Sequence, residues 1–195
     1  MTTHILIDVD GVLINGEYFS QELSKAYGIP LEAIMPFFKE KFGACVLGKA
    51  DLKEEIQPYL ETWGWQDGVE ALLKFWFSSD EEVEYPLLAR MGVWRSEGLK
   101  IYLASNQEKY RRDYVMEGLC FGQHVDGAFF SCDLGMKKTD PRFFAEALRQ
   151  MGVPANQVIY FDDEEENLES ARSVGIPSIL YAGLKDVEDW EMGRK

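Results

Sequence analysis

Four short apolar runs, 101–104, 127–130, 158–161 and 178–181, alternate with segments of helical periodicity, and this alternation narrows the possible folds more than any other feature. A strand with one wet face reads apolar and polar in turn, whereas Ile101-Tyr102-Leu103-Ala104 and Val158-Ile159-Tyr160-Phe161 are apolar throughout. Continuous runs separated by helices describe a parallel sheet buried on both faces. The helices between them carry their own punctuation. The segment 108–118 has Tyr110, Tyr114 and Val115 as its apolar residues, and Pro141–Met151 opens on Asp140 as N-cap with Pro141 in the first turn. A third helix sets Leu168, Ala171 and Val174 on one face and ends at Gly175. With Ile5-Leu6-Ile7 as the first strand, the expected fold is α/β, a doubly wound parallel sheet.

Between that first strand and Ile101 no strand pattern is found. The segments 17–27, 31–42, 52–63 and 69–78 read as helices, broken at Gly28-Ile29-Pro30, 43–51, 64–68 and Ser78-Ser79-Asp80, and a helix over 85–97 returns the chain to the sheet. The organisation expected is a core of residues 1–14 and 84–195 with an all-helical cap, 15–83, inserted after the first strand. Leaving immediately after Leu13, the insertion should stand over the carboxyl ends of the strands. The tail after Ala182, with Trp190 among mixed charges, is expected to pack loosely.

The 195 residues, 46% hydrophobic and 13% aromatic, suffice for one well-cored domain with a modest insertion and speak against disorder. A formal charge of -14 opposes binding to a phosphate backbone, so nucleic acid is a poor candidate partner. Cys45, Cys120 and Cys132 are too widely spaced for a metal or redox motif and suit a reducing compartment. No run approaches the ~20 apolar residues of a membrane span, and the first strand begins without a cleavable leader, so the chain reads as cytoplasmic with no membrane partner. His4 and His124 show no metal-ligand spacing.

In open α/β sheets the chemistry lies at the carboxyl ends of the strands. There the sequence places Asp8 and Asp10, which project to the same side of the strand while Val9 enters the core. Two crowded carboxylates require a proton or a cation, and a hard divalent ion such as Mg2+ takes oxygen ligands and phosphate alike. Ser105-Asn106, Lys138 and Asp162-Asp163 fall at three further strand ends. Each alone has a plain explanation: a turn and cap, a solvated lysine, an acidic pair complementing a helix dipole. Their joint appearance at strand ends does not.

Through Asp8-x-Asp10-Gly11-Val12-Leu13, Ser105-Asn106, Lys138-Thr139-Asp140-Pro141 and Asp162-Asp163-x-x-x-Asn167, the sequence resembles the haloacid dehalogenase superfamily of phosphohydrolases with its Rossmann-like core. The resemblance covers residues 4 to 181. The stretch 135–175 looks especially like sugar-phosphate phosphatases and the phosphatase domain of epoxide hydrolases, and the insertion is similar to that group's helical cap. Thr139 departs from the proline common at that place, which brings in Lys137 as a neighbour; the preserved Lys-x-Asp-Pro frame favours Lys138. The resemblance implies Asp8 as nucleophile, Asp10 as general acid and base, and Mg2+ held by Asp8, the Asp10 main-chain carbonyl and Asp163. Lys138 would supply a second positive charge, Ser105 and the Asn106 region hydrogen bonds to the phosphoryl oxygens. Asp162 would hold the lysine or a metal-bound water, and Asn167 would brace the loop. An intact Asp10 with Asp163 speaks for phosphate rather than for dehalogenation.

The function so implied is hydrolysis of a small phosphomonoester, such as a sugar phosphate. A phosphomutase is the nearest alternative, and Lys49, in Leu47-Gly48-Lys49-Ala50, is a candidate contact from the cap to a second phosphate or a polar leaving group. A phosphonate-cleaving enzyme using a cap lysine as an imine-forming amine ranks below it. A non-catalytic phospho-sensor or binding module is the alternative of a different class, opposed by the acceptor's place on the first strand and by the size of the cap. Tyr18, Phe19, Trp63 and Trp65 could line a leaving-group pocket, although such aromatics more often pack a core. The oligomeric state is open.

Overall fold

The apolar runs form strands because most of their side chains are buried, those of Val158–Asp162 completely. In the computed structural model, which describes residues 1–79 and 82–194, β1 (His4–Ile7) leads through β2 (Ile14–Asn15) into a helical segment. That segment comprises α1 (Phe19–Tyr27), α2 (Leu31–Phe37), α3 (Gly43–Val46), α4 (Leu52–Ile56), α5 (Tyr59–Thr62) and α6 (Gly68–Ser79), after which β3 (Glu82–Val83) and α7 (Tyr85–Ser96) return. The rest alternates as β4 (Lys100–Ser105), α8 (Lys109–Asp113), β5 (Gly127–Phe130), α9 (Ser131–Leu134), α10 (Pro141–Met151), β6 (Val158–Asp162), α11 (Glu165–Ser173), β7 (Ser178–Leu180) and α12 (Leu184–Arg194). The main sheet runs β5-β4-β1-β6-β7, all parallel, with Ile5 opposite both Ile101 and Ile159.

Two cores enclose it. Ile5, Ile7, Ile101, Leu103, Ile159 and Phe161 point to one face and pack on Leu87, Met91 and Trp94 of α7. Leu6, Ala104, Val158 and Tyr160 point to the other and meet Phe143, Phe144 and Ala147 of α10 with Leu168 and Ala171 of α11. The period of two therefore survives within the continuous runs, both of its faces being apolar. A third core belongs to the helical segment, where Phe37, Trp63, Trp65, Trp76 and Phe19 gather, the last stacked on Trp76 with ring centroids 4.2 Å apart. Phe19, Trp63 and Trp65 thus pack a core, while Tyr18 is 78% exposed.

Four expectations need correction. The segment before Ile101 does contain strands: β2 and β3 pair antiparallel, Ile14 opposite Val83, and the Glu84 amide donates to the Leu13 carbonyl at 2.9 Å. Two residues cannot display a period, so the ribbon that brings the insertion's exit beside its entrance left no pattern. The break expected over 43–51 starts later, because α2 continues through a π-helical turn, Phe38–Phe42, into α3, and Gly43 is helical. The helix expected over 52–63 is divided between α4 and α5 at Pro58, which has no N–H to donate to the preceding turn. The tail is packed, not loose: Val187 is 1% exposed and the Trp190 ring stands edge-on to Trp94 and Phe161 at 5.7 and 5.5 Å. Its partners are distant in sequence, and its charges masked the apolar side. Of the expected break at Ser78-Ser79-Asp80, Asp80 lies outside the described residues.

Candidate active site

β1 ends where its apolar side chains end, and Asp8 continues the pairing, its amide donating to the Phe161 carbonyl at 3.0 Å. The chain then turns sharply. The Leu13 and Ile14 amides both donate to the Val9 carbonyl, at 2.8 and 2.9 Å. Gly11 adopts a φ of +80°, and any Cβ there would collide with the Asp163 carboxylate. Glycine is thus required twice at this position, for its left-handed backbone and for the approach of Asp163. The turn keeps Asp8 buried and leaves the Asp10 side chain 56% exposed.

Lys138 is buried between two carboxylates, its Nζ 2.5 Å from Asp8 Oδ2 and 2.8 Å from Asp162 Oδ2. Its own loop is held by the Lys138 amide donating to Asn106 Oδ1 at 2.9 Å, so the Asn106 carbonyl oxygen serves the lysine. Lys137 is exposed. Asp162 accepts four protein donors: Lys138 Nζ and the Tyr160 hydroxyl on Oδ2, the Glu164 amide at 2.8 Å and Asn167 Nδ2 at 3.0 Å on Oδ1. These donors occupy its lone pairs. Asn167, fully buried, also donates to Glu164 Oε2 at 2.9 Å, and its own Oδ1 finds no hydrogen bond among the described residues.

The electrostatics separate the acids. Burial works against the Asp162 charge, but Lys138, Tyr160 and Asn167 hold its carboxyl below the ordinary range. For Asp8 burial prevails, and the Asp162 charge adds to it, so its carboxyl is pushed well above that range despite the opposing pull of Lys138. Burial opposes the Lys138 ammonium as well, yet Asp8 and Asp162 together keep it above the usual lysine value. Burial, followed by the Asp162 charge, also raises Asp163. Oxygens of Asp8, Asp162 and Asp163 lie within 4.8 Å of one another. With Asp162 committed to its four donors and Lys138 shared between Asp8 and Asp162, three carboxylates face one cation, and the hard oxygens of Asp8 and Asp163 fit Mg2+.

Ser105 is buried at the end of β4. Its Oγ accepts from Gln107 Nε2 at 3.0 Å, and the same nitrogen donates to Asp10 Oδ2 at 2.6 Å. Arg111 of α8 brings Nη2 to 3.6 Å from Asp10 Oδ1. Sequence reasoning missed Gln107, Arg111 and Tyr160. A glutamine in a turn, an arginine on a helix and a tyrosine in an apolar run carry no signal until the fold aims them at Asp10 and Asp162. Lys49 is exposed and forms no ion pair among the described residues. Its turn nevertheless meets the sheet end: Gly48, at φ +66°, lies against the Cys132 carbonyl, and Ser131 Oγ donates to the Val46 carbonyl at 2.7 Å. No helix among the described residues is long and apolar enough to cross a membrane.

Comparison with known proteins gives this geometry relatives. The bifunctional epoxide hydrolase 2 of Rattus norvegicus is 28% identical over 114 residues, 54% of this chain, and the chain spans only 21% of that protein's length. A phosphorylated carbohydrates phosphatase of Thermotoga maritima is 23% identical over 95% of this chain and 87% of its own. Among solved structures, a HAD family enzyme of Bacteroides thetaiotaomicron, in complex with magnesium and inorganic phosphate, superposes with a TM-score of 0.81 over the whole of both chains at 21% identity, a likeness of fold. Residues 2–175 match the haloacid dehalogenase-like hydrolases, and the chain belongs to that family.

Proposed function

We propose that the protein is a Mg2+-dependent phosphatase that hydrolyses a small phosphomonoester through an aspartyl-phosphate on Asp8, with residues 15–83 acting as a cap over the site. The observation that carries this reading is the pairing of buried Asp8 with Lys138 at 2.5 Å beside Asp163, with the exposed Asp10 two residues along the chain. Asp8, the Asp10 carbonyl and Asp163 would hold Mg2+, which when bound offsets the repulsion between a carboxylate and a phosphate dianion and polarises a phosphoryl oxygen. Asp8 attacks phosphorus while Asp10 protonates the departing ester oxygen. Asp10 then takes a proton from the water that frees Asp8. Lys138 and the Ser105 and Asn106 region bear the charge spread over the phosphoryl oxygens. Asp162 holds Lys138 in line, and Asn167 braces Asp162.

Retention of Asp10 supports phosphate transfer over dehalogenation, in which no leaving oxygen needs a proton. Its exposure supports water, rather than a second sugar hydroxyl, as the final acceptor, which favours hydrolysis over mutase chemistry. The likeness to a phosphatase of phosphorylated carbohydrates supports a sugar phosphate as substrate class. The test is phosphate release from an aryl phosphate and a panel of sugar phosphates, with Mg2+ and with chelator. Release should require the metal and fall at least about 1,000-fold in Asp8→Asn, the scale of removing a nucleophile. Release that survives the substitution would refute the assignment of Asp8.

A further inference from the structure

The Asp10 carboxylate is 56% exposed, yet the two side chains that reach it are buried, Gln107 and Arg111 each being 5% exposed. We infer that Gln107 and Arg111 are positioning residues for Asp10, fixing one carboxylate oxygen so that the other faces the departing ester oxygen; the inference rests on the phosphatase reading above.

An exposed aspartate on a turn is free to change rotamer, whereas a general acid must come within about 2.6–3.2 Å of the oxygen it protonates. Gln107 removes that freedom. Its Nε2 donates to Asp10 Oδ2 at 2.6 Å, and the amide is itself held by Ser105 Oγ at 3.0 Å. Its main-chain carbonyl lies 3.3 Å from Ser131 Oγ, the weaker branch of a hydroxyl that also donates to the Val46 carbonyl. Oδ2 is thereby engaged as an acceptor, and Oδ1 is the oxygen left to carry the proton. Arg111 faces that oxygen at 3.6 Å, beyond hydrogen-bond length, so it orients Oδ1 without consuming it.

The anchoring of Arg111 adds a second link. Nη1 donates to the Phe77 carbonyl at 3.0 Å, and the guanidinium lies 5.6 Å from the ring centres of both Phe77 and Tyr114. Phe77 belongs to α6, the last helix of the insertion, so one side chain ties the insertion's exit to Asp10. Packing α6 against α8 would need the rings and the carbonyl. It would not need a buried amide donor and a buried guanidinium converging on opposite oxygens of one exposed carboxylate. In the first step the Asp10 O–H bond breaks, its proton passes to the ester oxygen as the P–O bond to the leaving group breaks, and the Asp8 O–P bond forms. In the second, the carboxylate takes a proton from water as the water oxygen bonds phosphorus and Asp8 departs.

The experiment is a leaving-group series of aryl phosphates, from dinitrophenyl to phenyl phosphate, with Mg2+, comparing the wild type with Gln107→Leu. A phenolate that leaves readily needs little protonation and a poor one needs much. The variant should therefore lose about 10- to 100-fold in kcat/KM on phenyl phosphate, a fraction of the roughly 100- to 10,000-fold that general-acid catalysis supplies, and least on the dinitrophenyl ester, so that the dependence on leaving group steepens. Gln107→Met, of similar length but unable to donate, should steepen it too, and a melting curve verifies that each variant is folded. Arg111→Lys should steepen it less. A loss equal for every ester, or no loss, overturns the inference while leaving the phosphatase reading intact. A wild type inactive on the whole series overturns that reading and the inference with it.

Discussion

At the carboxyl end of the sheet Asp8, Lys138 and Asp162 are buried charged groups, and the last accepts four donors. In the helical segment that follows β2 the buried side chains are Phe37, Leu60, Trp63, Leu72, Trp76 and their apolar neighbours, with the polar residues turned outward. The difference lies in what each region tolerates. A buried charge survives only with particular partners in particular places, so the sheet end demands residue identity. An aromatic core demands volume and shape, and many sequences meet that demand. On the proposed function, the chemistry would be set by the sheet end and the substrate by a region where identity is loosely constrained.

The sharpest way to break that contrast is to remove a charge from the sheet end. Lys138→Met leaves Asp8 and Asp162 without their shared cation in the interior, which costs about 3–5 kcal/mol for a buried pair that loses one partner. Urea denaturation should register that loss, and phosphate release should disappear. Unchanged stability would mean that the cluster is wetter than its burial implies. Phe37→Ala attacks the other region by volume alone. Truncating this fully buried ring should cost about 3 kcal/mol. Hydrogen exchange should rise in α1, α2 and α6 while β1 and β6 stay protected. Equal loosening of the sheet would show that the two regions share one cooperative unit.

The same contrast explains what could be read from the sequence. The strands showed because burial on both faces writes an apolar run, and Asp8, Asp10, Ser105, Asp162 and Asp163 showed because polar residues at strand ends interrupt that run; Lys138, expected at the end of β5, lies beyond α9 and showed only through its Lys-x-Asp-Pro frame. Gln107 and Arg111 did not, since their meaning depends on where α8 and α6 bring them, and Tyr160 did not, since its ring belongs to the core and only its hydroxyl to Asp162. The β2–β3 ribbon is too short to pattern. In the insertion, helices were legible from their period, but Pro58 and the π-helical turn moved their limits, and no spacing shows which side chains meet a substrate.

Two glycines sharpen the comparison at smaller amplitude. Gly11 at φ +80° and Gly48 at φ +66° both have left-handed backbones, and a Cβ at either would collide, with the Asp163 carboxylate and the Cys132 carbonyl respectively. Alanine at each position should cost on the order of 1–3 kcal/mol in strain. The kinetic consequences should diverge. Gly11→Ala displaces Asp163 and should lower kcat, whereas Gly48→Ala displaces the turn bearing Lys49 and should chiefly raise KM. If both lower kcat alike, the turn at Gly48 takes part in the chemical step.

The smallest effect belongs to the contact between the two regions. Asp51 caps α4, its Oδ1 accepting from the Lys53 amide at 2.8 Å, while Oδ2 accepts from Lys109 Nζ at 2.5 Å across to α8, and the Tyr110 hydroxyl donates to the same carboxylate. The Lys109 hydrogen bond, more than any other contact, holds the Asp51 carboxyl down at about 2. Because the folded value lies below the unfolded one of about 3.9, this stabilisation is fully present above the unfolded value and is lost as pH falls through the folded one. Asn serves as well as Asp at an N-cap, so Asp51→Asn removes the charge and keeps the cap. The variant should melt slightly below the wild type at pH 7, by an amount that shrinks with added salt, and the gap should close as pH approaches 2. A gap that persists unchanged at low pH would assign the contact to hydrogen-bond geometry rather than to charge, and the two regions would then be joined by shape alone.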